Sequence, residues 1–208
     1  MARESCSPDR GDARIGARAS PLSGLHDLMA WLMTGGLRRP ADFRRRFAAE
    51  TQQIEDSLMP GTHTNLLYHL VFSTKQRKPM ISDTLAADLY PYLGGAVRGE
   101  GGILLEVGGM PDHIHLLVKL KPTIAISDFL RQLKANSSKW INEEKFKIHK
   151  FGWQDGYGAF TVSRSQVEHV ARYIREQKEH HAKQDFKTEY VELLNRHEVD
   201  YEEQYLWD

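Results

Sequence analysis

The stretch "GILLEVGGMPDHIHLLVKL", Gly102 to Leu120, decides the fold. Two runs of β-forming residues flank a Gly-Gly-x-Pro-Asp turn, the signature of a hairpin. On the second run side chains alternate between faces, so Ile114, Leu116 and Val118 share one side and His113 and His115 the other. The apolar set is expected to pack on helices. The histidines are expected to point to the opposite, open face of the sheet.

Outward from this hairpin the elements fall into a regular order. "NLLYHLVFST" (Asn65–Thr74) is rich in β-formers and predicts a first strand. "SDTLAADLYPYLGGAVRGEG" has helical apolar spacing, with Ser82 or Asp83 as N-cap and Pro91 as a point of kinking or splitting. After the hairpin, "AISDFLRQLKANSSKWINEE" places Ile126, Phe129, Leu130, Leu133 and Trp140 on one helical side. "GYGAFTVS" predicts a fourth strand. "SQVEHVARYIREQKEHHAK" predicts one strong helix capped by Ser163 or Ser165, and "DFKTEYVELLNRHEVD" a last helix. The order β-α-β-β-α-β is the split βαβ arrangement. It predicts an α+β, ferredoxin-like fold: an antiparallel sheet, helices on one face, and additional C-terminal helices.

Composition limits the function classes. The chain has 208 residues, one cysteine (Cys6) and a formal net charge of zero. A lone cysteine excludes an internal disulfide. The sequence contains neither an apolar run long enough for a membrane helix nor a signal-like start, so a cytoplasmic protein is expected. Residues 61–150 carry twelve basic and eight acidic side chains, a local surplus suited to nucleic acid. Residues 1–60 are different in kind, since all nine of their basic residues are arginine. Residues 1–58 are expected to be a poorly ordered extension with a short helix near Asp42–Ser57, a small accessory helical element, or a stretch upstream of a true start at Met59. The domain is then 59–208.

His113 and His115 on one strand face are close enough to share one metal ion, but two ligands do not complete a site. Standing alone, a His-x-His pair is more often solvated polar surface than a site. On the later helix, Val167, Val170, Ala171 and Ile174 make an apolar stripe. Tyr173 and Gln177 lie one turn apart on its flank, with Gln166, His169 and His180. A cation on His113, His115 and an oxygen such as that of Gln177 would stabilise charge on a phosphodiester, and Tyr173 would attack phosphorus. The bland alternative makes Tyr173 a boundary aromatic and Gln177 a solvated helix former.

"DHIHLLV" is a His-hydrophobic-His motif, and "ARYIREQKEHH" resembles the nucleophile helix of the single-tyrosine HUH transposases, the TnpA-type proteins of small bacterial insertion sequences. "YHLVFSTKQRKPM", "FGWQDGYGAFTVS" and "YEEQYLWD" are similar to that family too, so the resemblance runs from Thr64 to Asp208. It implies an enzyme that cuts and rejoins single-stranded DNA at element ends through a 5′-phosphotyrosine. It implies Mg²⁺ or Mn²⁺ as cofactor, bound by His113, His115 and Gln177, with Tyr173 as nucleophile. It also implies recognition of DNA hairpins and a homodimer in which one chain's histidines can work with the other chain's tyrosine helix. Residues 1–58 have no counterpart in the family pattern.

Lys75, Arg77 and Lys78, and on the second helix Arg131, Lys134 and Lys139, are candidate phosphate contacts. Trp153, Tyr157 and Phe160 are candidates for base stacking, though at least two are expected in a core or interface. His180 and His181 are rival ligands expected to be solvated. Asp112 is expected either to orient a histidine or to serve the turn. Tyr68, Tyr157 and Tyr190 are rival nucleophiles without a liganding residue one turn away. Two other functions fit parts of the pattern: a non-catalytic single-stranded nucleic-acid-binding module, and a metal-dependent phosphodiesterase using water.

Overall fold

The computed structural model describes residues 63–146 and 150–207. The expectations for residues 1–58 lie outside the described residues. Four strands form one antiparallel sheet: β1 (Leu66–Ser73), β2 (Ile103–Met110), β3 (His113–Leu120) and β4 (Gly158–Thr161), in the order β2-β3-β1-β4. This is the ferredoxin-like order, with the hairpin strand β3 inserted between β1 and β2. A bulge between Leu104 and Glu106 shifts the β2–β3 register.

Helices α1 (Asp83–Gly99) and α2 (Ile126–Trp140) cover one face. Ser82 caps α1 by accepting from the Leu85 amide at 3.1 Å, and the helix runs on through Pro91 without splitting. Leu70, Phe72, Ile114, Leu116 and Val118 pack there against Leu89, Leu93, Phe129 and Leu133, as alternation along β1 and β3 requires. Trp153 joins this core and donates its indole N–H to Ser137 Oγ at 2.8 Å.

The second face is not open. Three further helices cover it: α3 (Val167–Arg175), α4 (Gln177–His181) and α5 (Phe186–Arg196). Leu67 and Leu117 meet Val167, Ala171 and Ile174, while Val71 and Phe160 meet Phe186, Leu193 and Leu194. The predicted single helix from Ser165 is in fact a 3-10 turn (Arg164–Gln166), then α3, then a break at Glu176 (φ −92°, ψ 18°), then α4. Neither Ser163 nor Ser165 caps it, because the two hydroxyls bond each other at 2.9 Å.

Gly108 explains how closely α3 approaches. A Cβ built there would lie 2.2 Å from the carbonyl oxygen of Ile174. Only a residue without a side chain lets the backbone of α3 rest on β2. Gly108→Ala is therefore expected to cost more than about 2 kcal/mol, since the obstacle is backbone and cannot rotate away. Urea unfolding measures this, and an unchanged midpoint would refute it.

Candidate active site

β3 presents His113 and His115 to the covered face, both fully buried. Their surroundings differ. Asp112, the next residue back, places Oδ1 2.7 Å from His113 Nδ1. A carboxylate can only accept, so His113 donates from Nδ1. Behind His115 stands a third histidine, His69 of β1, also buried, with Nε2 3.0 Å from His115 Nδ1. When His115 donates from Nδ1, its Nε2 is bare. Neither Nε2 has a hydrogen-bond partner.

Both unpartnered nitrogens face Glu189 of α5, itself only 1% exposed. Glu189 Oε2 lies 3.6 Å from His113 Nε2 and 3.5 Å from His115 Nε2. The same oxygen accepts from His181 Nε2 at 2.9 Å. Glu189 Oε1 accepts the Tyr173 hydroxyl and, at 2.9 Å, the Gln177 amide. That bond fixes the Gln177 carboxamide with nitrogen toward the carboxylate, leaving its buried Oε1 without a partner. Ligand atoms of His113, His115, His181 and Glu189 all lie within 4.8 Å of one another, a group able to hold a metal ion. The Tyr173 ring sits edge-on to His115 at 5.9 Å and to His69 at 6.1 Å, all within one chain.

Burial sets the protonation states. It holds His115 below the ordinary histidine range, with help from its histidine neighbours and against Glu189. Burial and the nearby His115 hold His69 well below that range. Burial and then the Glu189 charge push the Tyr173 hydroxyl far up, so it is protonated at rest. For Glu189, burial pushes upward but is outweighed by His115, Tyr173 and Gln177, which keep it ionised well below the carboxylate range. An ionised, buried carboxylate beside unpartnered ring nitrogens makes a pocket that favours a cation.

His69 and His115 take up protons more readily in the unfolded chain, where their pKa is about 6.5. The unfolded state therefore gains protons first as pH falls. Metal-free protein is expected to lose stability progressively below about pH 6.5, before the carboxylates titrate. Urea midpoints between pH 5 and 8 measure the slope, and a flat profile would contradict it.

The structure brings Tyr173, Gln177, His113 and His115 together. Asp112 orients a ring, as one of the two expectations held. His181 is not solvated but joins the cluster, and His69 and Glu189 are functional candidates absent from the sequence reading. The basic candidates divide. Lys75, Arg131 and Lys134 line a groove of about 490 Å³ with Tyr157 and Trp153. Lys134 donates to the carbonyls of Asp155 and Gly156 at 2.9 and 3.1 Å, and burial lowers its pKa to about 8. Arg131 pairs with Asp128 at 2.6 Å. Arg77 donates to the Trp207 carbonyl at 3.2 Å and lies over its ring. Lys78 and Lys139 are exposed. Trp153 and Phe160 are buried, leaving Tyr157 as the exposed aromatic of the three.

A ferredoxin-like sheet that holds a buried His-x-His pair against a helix-borne tyrosine defines a histidine–tyrosine site on an α+β scaffold. The profile of the IS200-like transposase family matches residues 62–177, and the chain belongs to that family. It is 30% identical over 117 residues to the ISDra2 transposase TnpA of Deinococcus radiodurans, covering 54% of this chain and 84% of that one. It is 27% identical over 131 residues to the transposase for insertion sequence element IS200 of Salmonella typhimurium, covering 60% and 85%. Among solved structures, a transposase candidate from Deinococcus radiodurans R1 aligns with TM-score 0.47 and 28% identity, over 58% of this chain and 97% of that one. A REP-associated tyrosine transposase bound to a REP hairpin aligns with TM-score 0.46 and 14% identity, over 60% and 74%. Among the described residues no helix is long and apolar enough to cross a membrane.

Proposed function

We propose that this transposase cuts and rejoins single-stranded DNA at the ends of its element through a transient 5′-phosphotyrosine on Tyr173, with a divalent cation held by His113, His115 and Gln177. One observation carries the reading: the Tyr173 hydroxyl, the Gln177 carboxamide and two unpartnered imidazole nitrogens meet around one buried carboxylate, Glu189. The donor set fits a cation, because these buried lone pairs have no proton to accept. When bound, Mg²⁺ or Mn²⁺ supplies charge stabilisation to the phosphate oxygens.

The chain's own residues do the rest. Tyr173 Oη attacks phosphorus, the P–O3′ bond breaks, and the 3′-oxygen leaves as a hydroxyl carrying the proton that Tyr173 gave up by way of Glu189. Tyr173 gives its own proton to Glu189 Oε1, the acceptor it already bonds. In the reverse step a 3′-hydroxyl attacks, the P–Oη bond breaks, and the tyrosine regains its proton. Phosphodiester energy is conserved, so no nucleotide cofactor is consumed.

The transposase domain is assigned to residues 59–208, working in the cytoplasm on hairpin-bearing DNA ends and as a homodimer. The unpaired strand is assigned to the groove of Lys75, Arg131 and Lys134, with Tyr157 available for stacking, and Arg77, Lys78 and Lys139 are proposed as further phosphate contacts. The test incubates the protein with single-stranded DNA from both flanks of its gene and Mg²⁺, then denatures. A covalent protein–DNA band lost with EDTA is expected. Cleaved DNA without an adduct would mean hydrolysis by water, and shifted but intact DNA would mean a binding module.

A further inference from the structure

We propose that Glu189 is a further ligand of the cation, an anionic oxygen supplied by a helix beyond the family-matched segment. The inference rests on the metal reading above and adds to it. Glu189 Oε2 stands 3.6 and 3.5 Å from the two unpartnered imidazole nitrogens. Those separations are too long for good hydrogen bonds, and neither nitrogen has a hydrogen-bond partner. They match the edge of a coordination sphere, since ligands at about 2.1 Å from one ion and at right angles are about 3 Å apart. Two buried nitrogens without partners thus stand beside a buried carboxylate, and buried polar groups left unsatisfied are costly. A divalent cation held among them would satisfy both nitrogens and the carboxylate together.

The remaining contacts hold the carboxylate in place. Gln177 donates to Oε1 at 2.9 Å and His181 to Oε2 at 2.9 Å. Oε1 also accepts from Tyr173, so one side chain links the ion's position to the nucleophile's oxygen. Hard divalent cations prefer carboxylate oxygen, so Glu189 adds both charge and a fitting donor. The family-matched residues end at Gln177, twelve positions before it.

Mn²⁺ binding to the metal-stripped full chain, without DNA, tests this. The free Mn²⁺ signal in electron paramagnetic resonance reads the affinity, with no activity required. Wild type is expected to bind one ion, and Glu189→Gln to bind at least about tenfold more weakly. Glutamine keeps an oxygen for Tyr173, so a merely structural role would leave Mn²⁺ affinity unchanged. Wild-type affinity in Glu189→Gln, with binding lost in His113→Ala, overturns the Glu189 assignment and leaves the histidine site standing. Absence of Mn²⁺ binding by wild type overturns both. If Glu189→Gln fails to fold, Glu189→Asp keeps the charge but shortens the reach. A clear loss of affinity is again expected, and an unchanged one overturns the proposal.

Discussion

Tyr173→Phe is expected to abolish the covalent protein–DNA adduct and to leave the fold intact. The substitution removes one oxygen and keeps the ring, which packs edge-on against His115, His69 and His180 at 5.9, 6.1 and 5.0 Å. Glu189 loses one donor but keeps Gln177 and His181. A hydrogen bond to a charged group contributes about 1.5–3 kcal/mol, so a lower melting temperature is expected rather than unfolding. Chemistry changes far more, because phenylalanine has no nucleophilic atom and strand transfer is expected to fall by at least about 10³-fold. Mn²⁺ affinity should stay near the wild-type value, since the phenol is not among the proposed ligands. Tyr190 is a rival on the same side, packed among Phe186 and Trp207, with burial raising its pKa to about 12. Tyr190→Phe should retain the adduct. A denaturing gel separates the variants, and a band persisting in Tyr173→Phe would remove Tyr173 from its role.

Much of this was legible, and the limits have physical reasons. Strict alternation in "HIHLLV" assigned Ile114, Leu116 and Val118 to one face, where they pack. The same alternation placed the two histidines together. What it could not supply was the cover over them, because periodicity identifies a helix but not the surface on which it lands. The histidines assigned to an open face are therefore fully buried. Glu189 left a signal in the sequence. Phe186, Glu189, Tyr190, Leu193 and Leu194 follow the i, i+3, i+4, i+7, i+8 spacing of one helical stripe. An acid on a buried stripe needs a partner, and that oddity could have pointed to the site. His69 was harder to find. It shares a face with Leu67 and Val71, but its meeting with His115 depends on a β1–β3 register that pairs Val71 with His115. The break at Glu176 was also hidden, since "YIREQKEHH" contains neither proline nor glycine. Lys134 appeared free in sequence, yet its length lets it cross to carbonyls more than twenty residues away.

His113→Ala is expected to remove cation binding and, with it, adduct formation. The ring is fully buried and stacked on Phe186 at 4.1 Å, so its loss opens a cavity at a cost of about 2–4 kcal/mol. Asp112 is 28% exposed and regains water when its partner goes, which limits the damage. Metal response separates the two effects. Wild-type protein should melt higher as Mn²⁺ is added, because a ligand that binds only the folded state stabilises it. His113→Ala should melt lower without metal and should not recover with it. A variant that regained stability and adduct with Mn²⁺ would exclude His113 as a ligand. Mixing His113→Ala with Tyr173→Phe then tests which chain supplies the tyrosine. If dimers exchange their tyrosine helices, a mixed pair contains one complete site and the adduct returns. If each chain completes its own site, both sites stay broken. Tyr173 and His115 of a single chain meet at 5.9 Å, and Gly108 seats the tyrosine helix on its own β2. The expected result is therefore no restoration, and a restored band would show that the helix works on its partner's histidines.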